Sequence, residues 1–317
     1  MMTGESKMKT TRKVWRIKRL VTASIVVVVA LLAWGLLEPY FIEVERYDVT
    51  LANLPDAWHG RRVAVIGDMQ VGMWLDNTTT VRWAAERLAA EQPDAVLLVG
   101  DFIYHGGSDP EERMGKVVRL LEPLTDMTVP LYAVLGNHDY SVTATQEATV
   151  REARARELTA VLSDAGIRVL QNKAVPLSVG SADGDDPLYL AAIGPHLPRK
   201  DRPQEALAAI PEGAPRLVMM HNPASFAAIP NDEAPFAVAG HTHGGQIRLP
   251  FPTPNWSMLA LITEGAVHTD GWIEDYGNAG NRLYINRGIG FSLVPLRINC
   301  RPEITYFTLL AESDAGM

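Results

Sequence analysis

Aspartate, asparagine and histidine recur in this sequence at the ends of short apolar runs, in a pattern that could hold metal ions. RVAVI (62–66) leads into Gly67-Asp68-Met69-Gln70, and AVLLV (95–99) leads into Gly100-Asp101. LYAVL (131–135) leads into Gly136-Asn137-His138-Asp139, and RLVMM (216–220) into His221-Asn222. FAVA (236–239) leads into GHTHGGQ, which carries His241 and His243. A single Gly-Asp after a strand is commonly a turn, and a single strand-end histidine is commonly structural. Two histidines two residues apart in a glycine-rich loop rarely serve the core, and five such run ends in one chain argue against coincidence. Mixed carboxylate, amide and imidazole ligands suit Mn, Fe, Zn or Co. No thiolate takes part, which argues against a structural zinc site. Six or seven candidate ligands suit two ions better than one. A carboxylate can bridge ions about 3.5–4 Å apart, an arrangement used to hydrolyse phosphate esters.

The elements that must position these residues follow from hydrophobic pattern. RVAVI, AVLLV and LYAVL are continuous apolar runs bounded by turn signals, as expected of strands covered on both faces. Helical patterns predict helices at 77–91, with Asn77 as N-cap and Pro93 beyond the end, at 110–122, with Pro110 in the first turn, and at 150–165, closed by Gly166. Further strands are predicted at 188–193, 216–220, 236–240, 282–286 and 304–310, with a loop at 180–187. The βαβαβ order implies a parallel sheet in an α/β domain. In such sheets the carboxyl ends of strands line the ligand crevice, where five ends can converge.

The 317 residues are 47% hydrophobic and 21% charged, with a formal net charge of −8. Seven Lys/Arg and one Glu fall in the first 20 residues, leaving 22 basic and 36 acidic residues in the rest. That acidity argues against nucleic acid as the main partner of the body. Residues 20–37 form an uncharged 18-residue run, about 27 Å long as a helix and enough to cross a bilayer core. The basic stretch before it and Glu38 after it place the N-terminus in the cytoplasm and the body outside. The expected organisation is a basic cytoplasmic segment (1–19), a transmembrane anchor of the inner membrane (20–37), a tether with a leading strand (38–60), and one domain (61–317). A cleaved signal peptide and a buried core helix are the alternatives to an anchor. The lone Cys300 rules out an intramolecular disulfide framework and reads as a small buried hydrophobe.

GDMQ, GDF, GNHD, His221 and GHTHGGQ together resemble the ordered motifs of the calcineurin-like metallophosphoesterases, over about Arg61 to Leu310. The closing stretch NRGIG–PLRINCRPEITYFTL is similar to a membrane-associated bacterial branch, which includes YaeI/YkuE-like phosphodiesterases and UDP-2,3-diacylglucosamine pyrophosphatases. The resemblance implies a four-layer α/β/β/α sandwich of two mixed sheets with a dimetal site at the strand ends. It implies two divalent ions, manganese ahead of iron, zinc or magnesium. Asp101 would bridge them, with Asp68, Gln70 and His243 completing one site and Asn137, His221 and His241 the other. His138 would contact the phosphate and either protonate the leaving oxygen or stabilise charge on it, oriented by Asp139 or a nearby carboxylate, while a metal-bound hydroxide attacks phosphorus in line. The implied substrate is a phosphodiester or pyrophosphate, lipid-linked in one version and soluble in another. No obligate protein partner is evident.

The family pattern has Asp-x-His where this chain has Asp68-Met69-Gln70. Glutamine offers a neutral carbonyl oxygen, a harder and weaker ligand than imidazole. Three readings stand: a working site shifted toward Mn or Mg, a weakened first metal, and a non-catalytic relative that binds phosphorylated ligands or a membrane partner. Retention of every other position favours the first. His105 and Arg287 are further candidates for binding substrate, against a surface histidine and a structural salt bridge. Trp74, Trp256, Met258 and Leu259 could line an apolar groove or touch membrane, against ordinary core roles. His59, His196 and His268 have no motif around them and read as structural.

Overall fold

A computed structural model of the chain describes residues 4–73, 75, 77–104, 109–141, 152–177, 187–248, 268–273 and 276–312, with side chains from residue 12 onward. His105, Trp74, Trp256, Met258, Leu259 and nearly all of the 180–187 loop lie outside these residues.

The chain opens with helix α1 (Gly4–Leu37) and a 3-10 turn at Glu38–Tyr40. The stretch Arg12–Tyr40 has an 18-residue window of mean hydropathy 2.6, of which only 6% is buried. It is long and apolar enough to cross a membrane, and its exposure sets aside the buried core helix. Strand β1 (Glu43–Leu51) follows, where a leading strand was expected within 38–60. Next come β2 (Arg62–Ile66), α2 (Thr78–Glu91), β3 (Ala95–Leu98), α3 (Pro110–Thr125), β4 (Leu131–Ala133), α4 (Glu152–Asp164) and β5 (Arg168–Val169). The second half holds β6 (Lys173–Leu177), β7 (Leu188–Ala192), α5 (Pro203–Leu207), β8 (Arg216–Met219) and β9 (Ala237–Ala239). The described chain ends with β10 (Gly271–Ile273), β11 (Leu283–Ile285) and β12 (Glu303–Ala311).

Two six-stranded sheets result, in the orders β1-β12-β2-β3-β4-β5 and β10-β11-β9-β8-β7-β6. Both are mixed. In the first, β2 through β5 run parallel while β12 is antiparallel to β2. In the second, β11, β9, β8 and β7 run parallel and the edge strands β10 and β6 are antiparallel to their neighbours.

Strand alternation assigns the faces. Val63 and Val65 point into a core between the sheets with Leu190, Leu217, Met219, Val238 and Phe307. Ala64 and Ile66 point the other way, onto Val81, Leu88, Val117, Leu121 and Leu158 of the first helical layer. Across the second sheet, Ala191, Val218 and Ala237 meet Ala206, Leu207 and Phe226. A period of two with both faces apolar needs cover on both sides, and the outcome is the α/β/β/α sandwich.

Helix starts follow local chemistry. Asp109 caps α3 by accepting the Glu112 N–H at 3.0 Å, with Pro110 at the first position. Asn77 stands at the cap position of α2, but its side chain makes no cap bond. Its amide donates instead to the Met69 carbonyl at 2.5 Å, so it serves the loop after β2.

Candidate metal centre

Parallel strands put their carboxyl ends on one edge, and here that edge gathers the loops after β2, β3, β4, β8 and β9. Asp68, Gln70, Asp101, His241 and His243 all adopt positive φ, between 50° and 74°. That region costs a non-glycine residue about 1–2 kcal/mol, and clustered outliers of this kind mark functional sites. Two glycines make room: a Cβ on Gly240 would stand 2.7 Å from Asp68 Oδ2, and one on Gly136 would collide with the Asp101 carboxylate.

Asp101 is 1% exposed and stands where both ligand groups meet. Candidate ligand atoms of Asp101, His221 and His241 lie within 4.8 Å of one another, as do those of Asp68, Asp101 and His243. His221 donates from Nδ1 to the Val99 carbonyl at 2.7 Å, which turns Nε2 toward the cluster. That nitrogen faces Asn137 Oδ1 at 3.1 Å, His241 Nδ1 at 3.2 Å and Asp101 Oδ2 at 3.3 Å. Acceptors this close repel one another unless a cation lies among them. Burial opposes charge on His221, yet the Asp101 carboxylate outweighs it and raises the pKa to about 9. A proton there does what a divalent ion would do, so the donor set fits one.

The other group is built differently. Asp68 accepts the His241 backbone N–H at 2.9 Å, and His243 Nε2 stands 3.7 Å from Asp68 Oδ1. Gln70 Nε2 donates to Asp101 Oδ2 at 2.8 Å and lies 3.4 Å from His243 Nε2. Gln70 Oε1 and His243 Nδ1 are buried with no hydrogen-bond partner among the described residues. Rotating the amide by half a turn would present Oε1 to the cluster, and the two ends of an amide are nearly the same shape. The residues therefore fit a cation here as well, through an oxygen in place of an imidazole.

The charges balance around this cluster. Burial raises Asp68 to about 7, with the Asp101 charge adding to it. Burial works against ionisation of Asp101 too, but the neighbouring histidines prevail and hold its pKa below the usual carboxylate range. Burial first, and the His221 charge second, lower His241 to about 3. Burial, then Arg297, keeps His243 well below an ordinary histidine.

His138 donates its backbone N–H to Asp101 Oδ1 at 2.9 Å, and its Nε2 is 4.0 Å from Asp101 Oδ2. The ring stacks on Tyr104, 5.2 Å between centroids. Asp139 accepts backbone N–H groups from Gly136 (2.8 Å), Phe102 (2.9 Å), Asp101 (3.0 Å) and Ile103 (3.2 Å). Its carboxylate ties the loop after β3 to the loop after β4, which gives it a positioning role. Arg287 takes the salt-bridge alternative, with Glu303 at 2.6 Å, Glu43 at 3.1 Å and Glu45 at 3.2 Å. His196 pairs with Asp201 at 2.8 Å and His59 accepts the Ala311 N–H, both outside the cluster.

Several supporting residues went unread in the sequence. Arg297, fully buried, donates to the carbonyls of Arg287, Gly288, Gly290, His243 and Cys300. Cys300 Sγ donates to the His243 and Gly244 carbonyls at 3.3 Å each. Both hold the GHTHGGQ loop from beneath. Their partners are backbone oxygens, which leave no mark on side-chain pattern.

The calcineurin-like phosphoesterase profile matches residues 61–245, more than half of the chain. The chain belongs to this family. Its membership makes it a phosphoester hydrolase, and the matched residues include the loops after β2, β3, β4, β8 and β9. It is 26% identical to the uncharacterized metallophosphoesterase YkuE of Bacillus subtilis, over 86% of this chain and 87% of that one. It is 30% identical to the phosphodiesterase YaeI of Escherichia coli, over 69% and 72%. It is 22% identical to the UDP-2,3-diacylglucosamine pyrophosphatase LpxG of Chlamydia trachomatis, over 92% and 98%.

Proposed function

We propose that this chain is a membrane-anchored, divalent-metal-dependent hydrolase of a phosphodiester or pyrophosphate bond in a lipid-linked substrate such as UDP-2,3-diacylglucosamine. The observation that carries the reading is the position of Asp101, whose one carboxylate belongs to both ligand groups. Asp101 would hold both ions, manganese first among the candidates, with Asp68, Gln70 and His243 on one side and Asn137, His221 and His241 on the other. When bound, the pair of ions neutralises phosphate charge and supplies a nucleophile from water at neutral pH.

The chain's own residues do the rest. His138 stands beside Asp101 with its ring braced by Tyr104. There it holds a proton at Nε2 for the oxygen that leaves phosphorus. Asp139 fixes the two loops that carry Asp101 and His138, and so fixes their separation. α1 retains the body at a bilayer with its basic end in the cytoplasm, and the apolar parts of the substrate lie in the same bilayer.

The test is hydrolysis by the full chain in detergent micelles. With Mn2+ added, a chromogenic phosphodiester and UDP-2,3-diacylglucosamine are offered in parallel, beside His138→Ala. Turnover that chelation abolishes and His138→Ala reduces supports the reading. Turnover unaffected by chelation would overturn it, and a reporter at the C-terminus reads the side of the membrane.

A further inference from the structure

We propose that the loop 291–296 and the aromatic side chains around the end of α1 form one surface that docks on the lipid bilayer and holds the mouth of the metal-ligand cluster at the membrane interface. The inference rests on the anchoring reading above and adds where the body sits once anchored.

There is no slack between helix and body. The Gly35 carbonyl accepts the Arg297 N–H at 3.0 Å, and a Cβ on Gly35 would stand 3.0 Å from Ile298 Cγ1. One turn on, the Glu38 carboxylate is 1% exposed and accepts the N–H groups of Asn299 (2.9 Å) and Cys300 (2.5 Å). Thr80 donates to the Pro39 carbonyl at 3.0 Å, tying the same turn to α2. The segment that grips the helix end is the one whose Arg297 and Cys300 support the carbonyls of the GHTHGGQ loop. Where α1 leaves a bilayer therefore sets where the cluster stands.

Large apolar side chains are exposed at this junction. Trp34 stacks on Phe41 at 5.8 Å, and Tyr40 meets Trp83 of α2 edge-on at 6.2 Å. All four are at least 40% exposed. Amphipathic rings at the end of an apolar helix are the composition of a membrane–water interface. Leu293 extends this surface toward the site. It is 43% exposed and held at φ 63°, a conformation an ordinary leucine avoids. Gln246, the last residue of GHTHGGQ, fixes the loop by donating to the carbonyls of Ser292 and Val294 at 2.9 Å each. The Leu293 backbone also hydrogen-bonds the Tyr104 hydroxyl, and Tyr104 stacks on His138. An exposed, strained leucine thus sits two contacts from the histidine of the cluster and on the same segment that grips α1. A bilayer covers both at once.

The experiment places a fluorescent bimane on single introduced cysteines in the full chain, in nanodiscs of phosphatidylcholine and phosphatidylglycerol. Doxyl-labelled lipids quench at shallow or deep positions, and unaltered protein supplies the background from buried Cys300. Leu293→Cys reports the surface, and Trp83→Cys reports it independently if the first variant is poorly made. Val28→Cys reports the middle of the apolar run 20–37. Ala52→Cys is the control, beyond the far end of nine-residue β1 and about 30 Å from its start. The expected result is deep quenching at Val28, with shallow quenching at Leu293 and Trp83 at least twofold above the background level at Ala52. Quenching at Val28 with Leu293 and Trp83 no different from Ala52 overturns the docking surface and leaves the anchor standing. No quenching at Val28 overturns both.

Discussion

The two halves of the ligand cluster are built to different standards. On one side His221 is fixed by the Val99 carbonyl, and its free nitrogen converges with Asn137, His241 and Asp101 within 3.3 Å. On the other, Gln70 stands where the resemblance implies a histidine, and among the described residues neither its Oε1 nor His243 Nδ1 has a hydrogen-bond partner. Outer hydrogen bonds orient metal ligands and are worth about 10–100-fold in affinity. The first of these halves is therefore pre-organised, while the second must rotate an amide and settle an imidazole when an ion arrives. On the proposed reading, one chain would hold a firm and an adjustable ion side by side, because Asp101 belongs to both candidate groups.

The comparison breaks most completely at the shared residue. Asp101→Asn keeps the shape of the side chain and removes the charge that faces both ions. Loss of both ions and a fall in kcat/KM of about 10^3-fold or more is expected, matching several kcal/mol of charge stabilisation. Steady-state kinetics beside an elemental metal count measures it.

His138→Ala comes next. It should lower kcat about 10^2-fold for substrates with poor leaving groups, and less for a nitrophenolate, because general-acid help scales with leaving-group basicity. The metal count should stay at the level of the unaltered protein.

Exchanging the odd ligand sharpens the contrast. Gln70→His should tighten the weaker ion about tenfold and leave the tighter one unchanged. His221→Gln should weaken the tight ion instead. Calorimetric Mn2+ titration of each variant reads both.

The smallest effect is on pH. Above the pKa of an unfolded histidine, about 6.5, His241 and His243 are neutral folded or unfolded and Asp101 is ionised in both states. Asp68 and Asp139, each raised to about 7, and His221, raised to about 9, still bind more protons folded than unfolded. Stability of chelated protein should then fall as pH rises from 6.5 to 9. Each kcal/mol lost should lower Tm by about 2–4 °C. Thermal melts across that range check it, and added Mn2+ should flatten the slope.

Much of this was legible in the sequence, for physical reasons. RVAVI, AVLLV, RLVMM and FAVA had to be covered on both faces, so their ends had to lie on one edge with their polar residues. Motif order then gave the family and its sandwich. Edge strands β6 and β10 escaped, because half-exposed strands of mixed composition carry little periodic signal. Asn77 read correctly as a helix start, but its amide turned to Met69. Arg287 was singled out within NRGIG, whereas Arg297, ten residues on, is the buried cation that supports the site. Cys300 is buried as expected, with a hydrogen-bonding task that composition does not reveal. Glu38 reads as the charge ending an apolar run, and its partners lie more than 260 residues away.

One measurement tests the central account most directly: electron paramagnetic resonance of the full chain as Mn2+ is added. A shared two-ion centre should give a first equivalent with the six-line signal of an isolated ion, then a weaker second equivalent that converts it to the broadened spectrum of a coupled pair. Asp101→Asn should never give the coupled spectrum. An isolated-ion signal that persists unchanged at saturating Mn2+ in the unaltered protein would contradict a shared, two-ion centre.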